Sequence, residues 1–126
     1  MKILSVFLFL TSSFVAYSQD SSLTKELIGQ RLHLKNYAFC SCVYNLDSTK
    51  KQEIINDGSK AGYFEISDYE LEAYHLIDTL AKKYALKKYS SISNKTLGLM
   101  KCLDFYNSRE LANKIKSLDG LMIKHK

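Results

Sequence analysis

The residues of this chain best equipped for chemistry are three cysteines, Cys40, Cys42 and Cys102, and three histidines, His33, His75 and His125. Cys40-Ser41-Cys42 has one residue between the thiols, not the two of a zinc knuckle, and no histidine cluster supplies the remaining ligands. A catalytic thiol needs a neighbour that lowers its pKa, and no residue beside Cys40 offers that. The histidines have no local partner arrangement. Glycine-rich phosphate loops, His-Glu-x-x-His and Gly-x-Ser-x-Gly are all missing from the sequence. The expectation is therefore a protein with no catalytic residues, no metal and no cofactor. What remains for the cysteines is a structural disulfide.

A disulfide needs an oxidising compartment, and the first eighteen residues point to one. Lys2 supplies a positive start, Ile3 to Leu10 an apolar run, and Ala16-Tyr17-Ser18 a small-x-small cleavage site before Gln19. The apolar run is shorter than the roughly 20 residues of a membrane anchor, and no cysteine follows it closely enough to carry a lipid. Residues 1–18 read as a cleaved signal peptide, and export to the periplasm follows. Residues 19–126 then form a single domain of roughly 110 residues, large enough to bury one core. The formal charge of +5 falls to about +4 once Lys2 is removed. So mild and scattered a charge, on an exported chain, argues against nucleic acid as a partner.

The elements that must position the cysteines are helical. The chain has no proline, and its apolar residues recur at helical spacing, so it reads as all-α, a compact bundle of four to five helices. The first helix runs from about Leu23 to Leu46, with Ile28, Leu32, Phe39, Cys42, Val43 and Leu46 on one face. Cys40 lies about 100° from the middle of that face, so Cys42 is the thiol turned inward. Downstream, Leu99, Cys102, Leu103 and Tyr106 form one stripe of another helix. The reading is a Cys42–Cys102 bridge with Cys40 left as a free thiol. Closing a loop of about sixty residues is worth on the order of 4 kcal/mol in the chain-entropy model.

Between these helices, Asp47 or Ser48 starts a short second helix through Ile54 and Ile55, ending near Asn56-Asp57-Gly58-Ser59 or running on to Ala61, with Gly62 as its stop. Gly62-Tyr63-Phe64-Glu65-Ile66 reads as an aromatic connection, and Ser67-x-x-Glu70 as a capping box opening a third helix that reaches about Tyr89. That helix turns Ala73, Tyr74, Ile77, Leu80, Ala81 and Tyr84 inward and Glu72, His75, Asp78, Thr79 and Lys82 outward. Tyr89 to Lys95 is the most loop-like stretch, and Ser93 or Asn94 is expected to cap the Cys102 helix. Asn107 stops that helix, and Asn107-x-x-Glu110 is expected to cap the last one, which buries Leu111, Ala112, Ile115 and Leu118. Asp119-Gly120 ends it, and Leu121 to Lys126 is expected to fray.

Several stretches resemble the periplasmic immunity proteins of type VI secretion amidase effectors, the fourth amidase-immunity family. They are Asn36-Tyr37-Ala38-x-x-x-Cys42, Gly62-Tyr63-x-Glu65, Glu72-Ala73-Tyr74 and, above all, Leu99-Met100-Lys101-Cys102-Leu103-Asp104-x-Tyr106-x-Ser108-x-Glu110-Leu111. The resemblance implies a small helical protein, commonly a homodimer. It implies binding to a cognate NlpC/P60-like amidase, whose papain-like site cuts peptidoglycan stems, by occluding the substrate cleft and so protecting the producing cell and its kin. Cys40 goes beyond the family pattern.

Occlusion needs a rigid frame and a pre-organised protrusion, which loses less entropy on binding. Two stretches are candidates for toxin contact: Tyr63, Phe64 and Glu65, and the loop of Tyr89, Ser90, Ser91, Ile92, Ser93 and Asn94, continuing to Lys95. Two other functions suit the same residues. One is a periplasmic inhibitor of a different wall hydrolase, and the other a secreted helical binding domain without a toxin partner.

Overall fold

Leu34, Tyr37, Ala38, Ser41 and Cys42 repeat at intervals of three and four residues, and all five are buried. That spacing makes one stripe of the longest helix, α1, Ser13–Tyr44. The computed structural model of the chain describes residues 13–46 and 56–124. After α1 come α2 (Ser59–Glu65), α3 (Leu71–Ala85), α4 (Gly98–Tyr106), α5 (Arg109–Ser117) and a single 3₁₀ turn, Asp119–Leu121. The described chain is all-α, and α1 packs against each of the other four helices. The expected second helix through Ile54 and Ile55 lies outside the described residues, as does most of the stretch read as a signal peptide.

The buried stripe of α1 is rotated from the expected one. Ile28 and Leu32 are 60% and 49% exposed, while Phe39 and Val43 sit at the margin of the core. Hydropathy alone ranks Ile and Leu above Ala38 and Ser41. Small residues win here because they admit a neighbouring helix closely, and the Ser41 hydroxyl finds an acceptor on α3. The α4 stripe shifts in the same way: Cys102 and Phe105 are fully buried, whereas Leu99 and Leu103 are exposed.

Cys42 and Cys102 are bonded, their Cα atoms 5.6 Å apart and 60 residues apart in sequence. Both are completely buried, and Cys40 is the free cysteine. Next to the bridge, a Cβ on Gly98 would sit 2.8 Å from Leu46 Cδ1, so the glycine lets the start of α4 close onto the end of α1. Phe105 stacks at 4.6 Å from Tyr84 of α3, and Leu111, Ile115 and Leu118 complete the core. Ala112, expected inward, is exposed.

Helix ends differ most from expectation. Neither side chain of Ser67-x-x-Glu70 caps α3. Ser67 instead donates to the Tyr63 carbonyl and lies 2.6 Å from the Tyr74 hydroxyl. The segment is held extended because Tyr69 forms an antiparallel bridge with Met122. Glu70 N–H donates to Leu121 O, and Ile123 N–H to Asp68 O. That pairing also anchors the chain end that was expected to fray, up to Lys124. Arg31 fastens it further through a forked ion pair to Asp119. α3 stops at Ala85 rather than Tyr89. Neither Ser93 nor Asn94 caps α4, whose N-cap position is Leu97. α5 is capped by Ser108, whose Oγ accepts from Leu111 N–H. Glu110 is instead taken by Lys83 and Tyr84 of α3, at 2.8 and 2.7 Å.

Two expected outcomes follow from this packing. Cys42→Ala/Cys102→Ala lowers unfolding free energy by about 4 kcal/mol, read from urea melts, and reductant no longer shifts the midpoint of that variant. Tyr69 is buried and its hydroxyl has no partner among the described residues. Burial, reinforced by the Asp119 carboxylate, pushes its pKa up to about 12. An unfolded tyrosine ionises from about pH 10, so this contribution is complete below that pH and is lost as pH rises toward 12. Tyr69→Phe flattens that part of the alkaline stability profile and changes stability at neutral pH by less than about 1 kcal/mol.

Candidate functional site

The first candidate stretch is helical, not a connection. Gly62 to Glu65 form the second half of α2, and the turn falls at Ile66. So short a helix has no stability of its own and must be held from outside. The hold is a carboxylate. Asp78, expected on the wet side of α3, accepts hydrogen bonds from Tyr37 Oη at 3.0 Å and Ser41 Oγ at 2.5 Å, both on α1. Lys60 of α2 completes the set, with Nζ 3.0 Å from Asp78 and over the rings of Tyr37 and Tyr44. Burial and the Asp78 charge together push the Tyr37 phenol well above its ordinary pKa.

So seated, α2 packs Tyr63 against the core and leaves Phe64 44% exposed, its ring 4.5 Å from that of Tyr74. Glu65 is exposed at the helix end. Of this trio, Phe64 and Glu65 therefore present surface, and Tyr63 mainly supports them.

The second candidate, Tyr89 to Lys95, is a loop as expected. Tyr89 Oη donates to Asp104 Oδ2 at 2.7 Å, holding the loop against α4. At the tip, Asn94 N–H donates to Ser91 O at 3.3 Å, and the Ser91 and Ser93 hydroxyls lie 3.1 Å apart. Asn94 adopts φ 54°, the left-handed region that Asn tolerates better than most residues. Ile92 projects from this turn fully exposed, at 109% of its reference accessibility. Ser90, Ser93 and Asn94 are exposed beside it. The two candidate stretches have separate supports, Asp78 for α2 and Asp104 for the loop.

Among the described residues, the free thiol is not set up as a nucleophile. Burial raises the Cys40 pKa, with Asp57 adding to the effect, the opposite of what a nucleophile needs. His75 is exposed on α3, and His125 lies outside the described residues. Among the described residues no group of three or more His, Cys, Asp or Glu side chains could hold a metal ion. No described helix is long and apolar enough to cross a membrane.

No supporting role for Asp78, Lys60 or Asp104 was evident in the sequence, where Asp78 falls on the outward face and Asp104 stands only in the family-like stretch. The one available signal was the hydroxyl pair Tyr37 and Ser41, spaced i, i+4 on the inward face of α1 and needing a shared acceptor.

The described chain is a helical frame with two supported surface features, the end of α2 and the 89–95 loop. Its fold matches a chain in the structure of the effector–immunity system Tae4/Tai4 from Salmonella typhimurium, selenomethionine variant, with a TM-score of 0.60 and 35% sequence identity. The match covers 69% of this chain and 86% of that one. No functionally curated protein matches. The model of the Tai4 family, type VI secretion system (T6SS) amidase immunity proteins, matches residues 33–115, from α1 into α5, and the chain belongs to that family.

Asp78→Ala removes the common acceptor of three donors and leaves the fully buried Ser41 hydroxyl unpaired. The expected cost is about 1–3 kcal/mol in chemical denaturation. Limited proteolysis should show α2 released first, with cleavage at Lys60 preceding cleavage within α3.

Proposed function

We propose that this chain is a periplasmic immunity protein that binds the NlpC/P60-like peptidoglycan amidase delivered by a type VI secretion system and blocks its substrate cleft. The observation that carries this reading is the family match over residues 33–115. In this reading the protein is exported by its N-terminal signal, residues 1–18 being removed, and has no catalytic activity or cofactor of its own. It protects the cell that makes the toxin, together with its kin.

The physical features of the chain support that task. A cleft is filled most economically by a protrusion already in its bound shape, because little conformational entropy is then lost on docking. The 89–95 loop has internal hydrogen bonds and a fastening to α4, and it offers an aliphatic side chain with no intramolecular contact to lose. Phe64 and Glu65 form the second contact in this reading, a surface aromatic beside a charge. We propose a homodimer as the working state. The exposed Ile28 and Leu32 on α1, and Leu99 and Leu103 on α4, are the kind of apolar surface a second copy covers.

Co-expression with a candidate wall amidase encoded beside this chain, in a bacterial periplasm, tests the proposal. Lysis is suppressed by the wild-type chain, and the two proteins co-purify. Ile92→Asp weakens binding by about 100-fold, or about 2.8 kcal/mol, without lowering the melting temperature. Phe64→Ala has a smaller effect of about tenfold. Lysis despite folded protein in the periplasm, repeated for every wall amidase encoded with it, overturns the proposal.

A further inference from the structure

The 89–95 loop leaves α3 at Ala85 and enters α4 at Gly98, so its shape depends on what fixes those two helices around it. Two α4 side chains reach back to do so. Lys101 Nζ donates to the Ala85 carbonyl at 3.1 Å, satisfying an acceptor at the end of α3 where the chain turns off. Asp104 Oδ2 accepts the Tyr89 hydroxyl at 2.7 Å, one helical turn further along. The two residues are three apart on α4 and therefore lie on one side of it. Between them they tie the outgoing segment of the loop at two points, Ala85 and Tyr89. The returning strand needs no clamp, because it runs directly into α4, and α4 is bonded to α1 through Cys102.

We propose that Asp104 and Lys101 are positioning residues, which set the conformation of the 89–95 loop and so its affinity for a partner without touching the partner themselves. Tyr89 is accordingly reassigned. It was read as a contact residue, but its hydroxyl is committed to Asp104, and the phenol is held protonated by that hydrogen bond, its pKa raised. It acts as the loop's half of the strut, while Ile92 makes the contact. The inference rests on the immunity reading for the identity of the partner, but not for the behaviour of the free loop.

The test has one arm for each. In the free protein, amide hydrogen exchange is followed at Ser93 and Asn94, whose N–H groups bond to Ser91 within the tip. Asp104→Ala and Tyr89→Phe speed that exchange by about tenfold. Lys101→Met speeds it less, and Asp104→Asn, whose amide oxygen still accepts from Tyr89, restores the wild-type rate. The melting temperature stays within the range of a surface substitution.

In the complex with the amidase that co-expression identifies, Asp104→Ala and Tyr89→Phe each weaken binding by about tenfold, as expected for one or two side chains that must be re-ordered. The double variant is no weaker than either single, because both remove the same strut. Unchanged exchange in Asp104→Ala overturns the proposal, whatever happens to binding. Additive losses in the double variant overturn it too, since they mean that each side chain meets the partner separately. Faster exchange with no amidase bound by the wild-type chain supports the strut and removes the immunity reading.

Discussion

The Cys42–Cys102 bridge is the constraint on which the arrangement of the other elements depends. α2, α4 and α5 have seven, nine and nine residues, well below the length at which a helix persists alone in water. Each must borrow its stability from α1. For α4 the loan is covalent: a buried bond fixes its middle to α1, and Gly98 allows the helix ends to meet beside Leu46. With α4 placed, Phe105 is delivered to Tyr84, and Asn107 and Ser108 turn the chain into α5. The loop before α4 acquires a fixed end by the same step. Loss of the bridge therefore reaches the exposed tip at Ile92 as well as the core.

Where the chain cannot use a disulfide it uses single carboxylates with several donors. Asp78 gathers α1 and α2 onto α3, Glu110 ties α5 to α3, and Asp119 holds the chain end against Arg31. Most of these groups are partly exposed, so their direct contribution to stability is small. Their effect is on register. Each oxygen has a defined donor at 2.5 to 3.0 Å in the Asp78 set; a one-residue shift of α3 would break all three, and one of α2 would break its Lys60 pair. A short helix such as α2 buries too little apolar surface to select its own position, and this is where directional bonds decide the outcome.

This division explains which features could be read from the sequence. Helical periodicity and the absence of proline were enough for the all-α fold. The angular position of Cys42 relative to Cys40 was enough for the bridge, since a disulfide between helices needs only that both thiols face inward. The inner stripe of α3 was also legible, because its apolar residues outnumber its small ones. The stripe of α1 was not, because Ala38 and Ser41 mark closeness between helices and hydropathy undervalues both. The caps misled for a related reason. Ser67 and Glu70 have the spacing of a capping box, but the bridge from Tyr69 to Met122 holds that backbone extended, and this long-range pairing leaves no local trace. Of the candidate site, the loop was visible through its Ser and Asn content, whereas its supports, Asp104 and Lys101, stood only within the stretch that carries the family resemblance, with no sign that they reach back to Tyr89 and Ala85.

In the proposed function, the position of Ile92 links the frame to the task. An isoleucine on a hydrogen-bonded turn, with none of its side chain covered, contributes nothing to folding and raises the cost of solvation. A turn that served only to join α3 to α4 would be as stable with a polar residue there. Because the tip makes no contact with the core, its residues can change without disturbing Cys102, Phe105 or the α3 stripe. The same separation applies in reverse: the core can hold its packing against substitution at the surface that meets a partner. Stability thus resides in α1, the bridge and the carboxylate ties, and in the proposed function recognition falls to side chains that the fold presents but does not need. A protein of this kind can be matched to a new partner by altering a few exposed residues on a frame whose own energetics stay as they were.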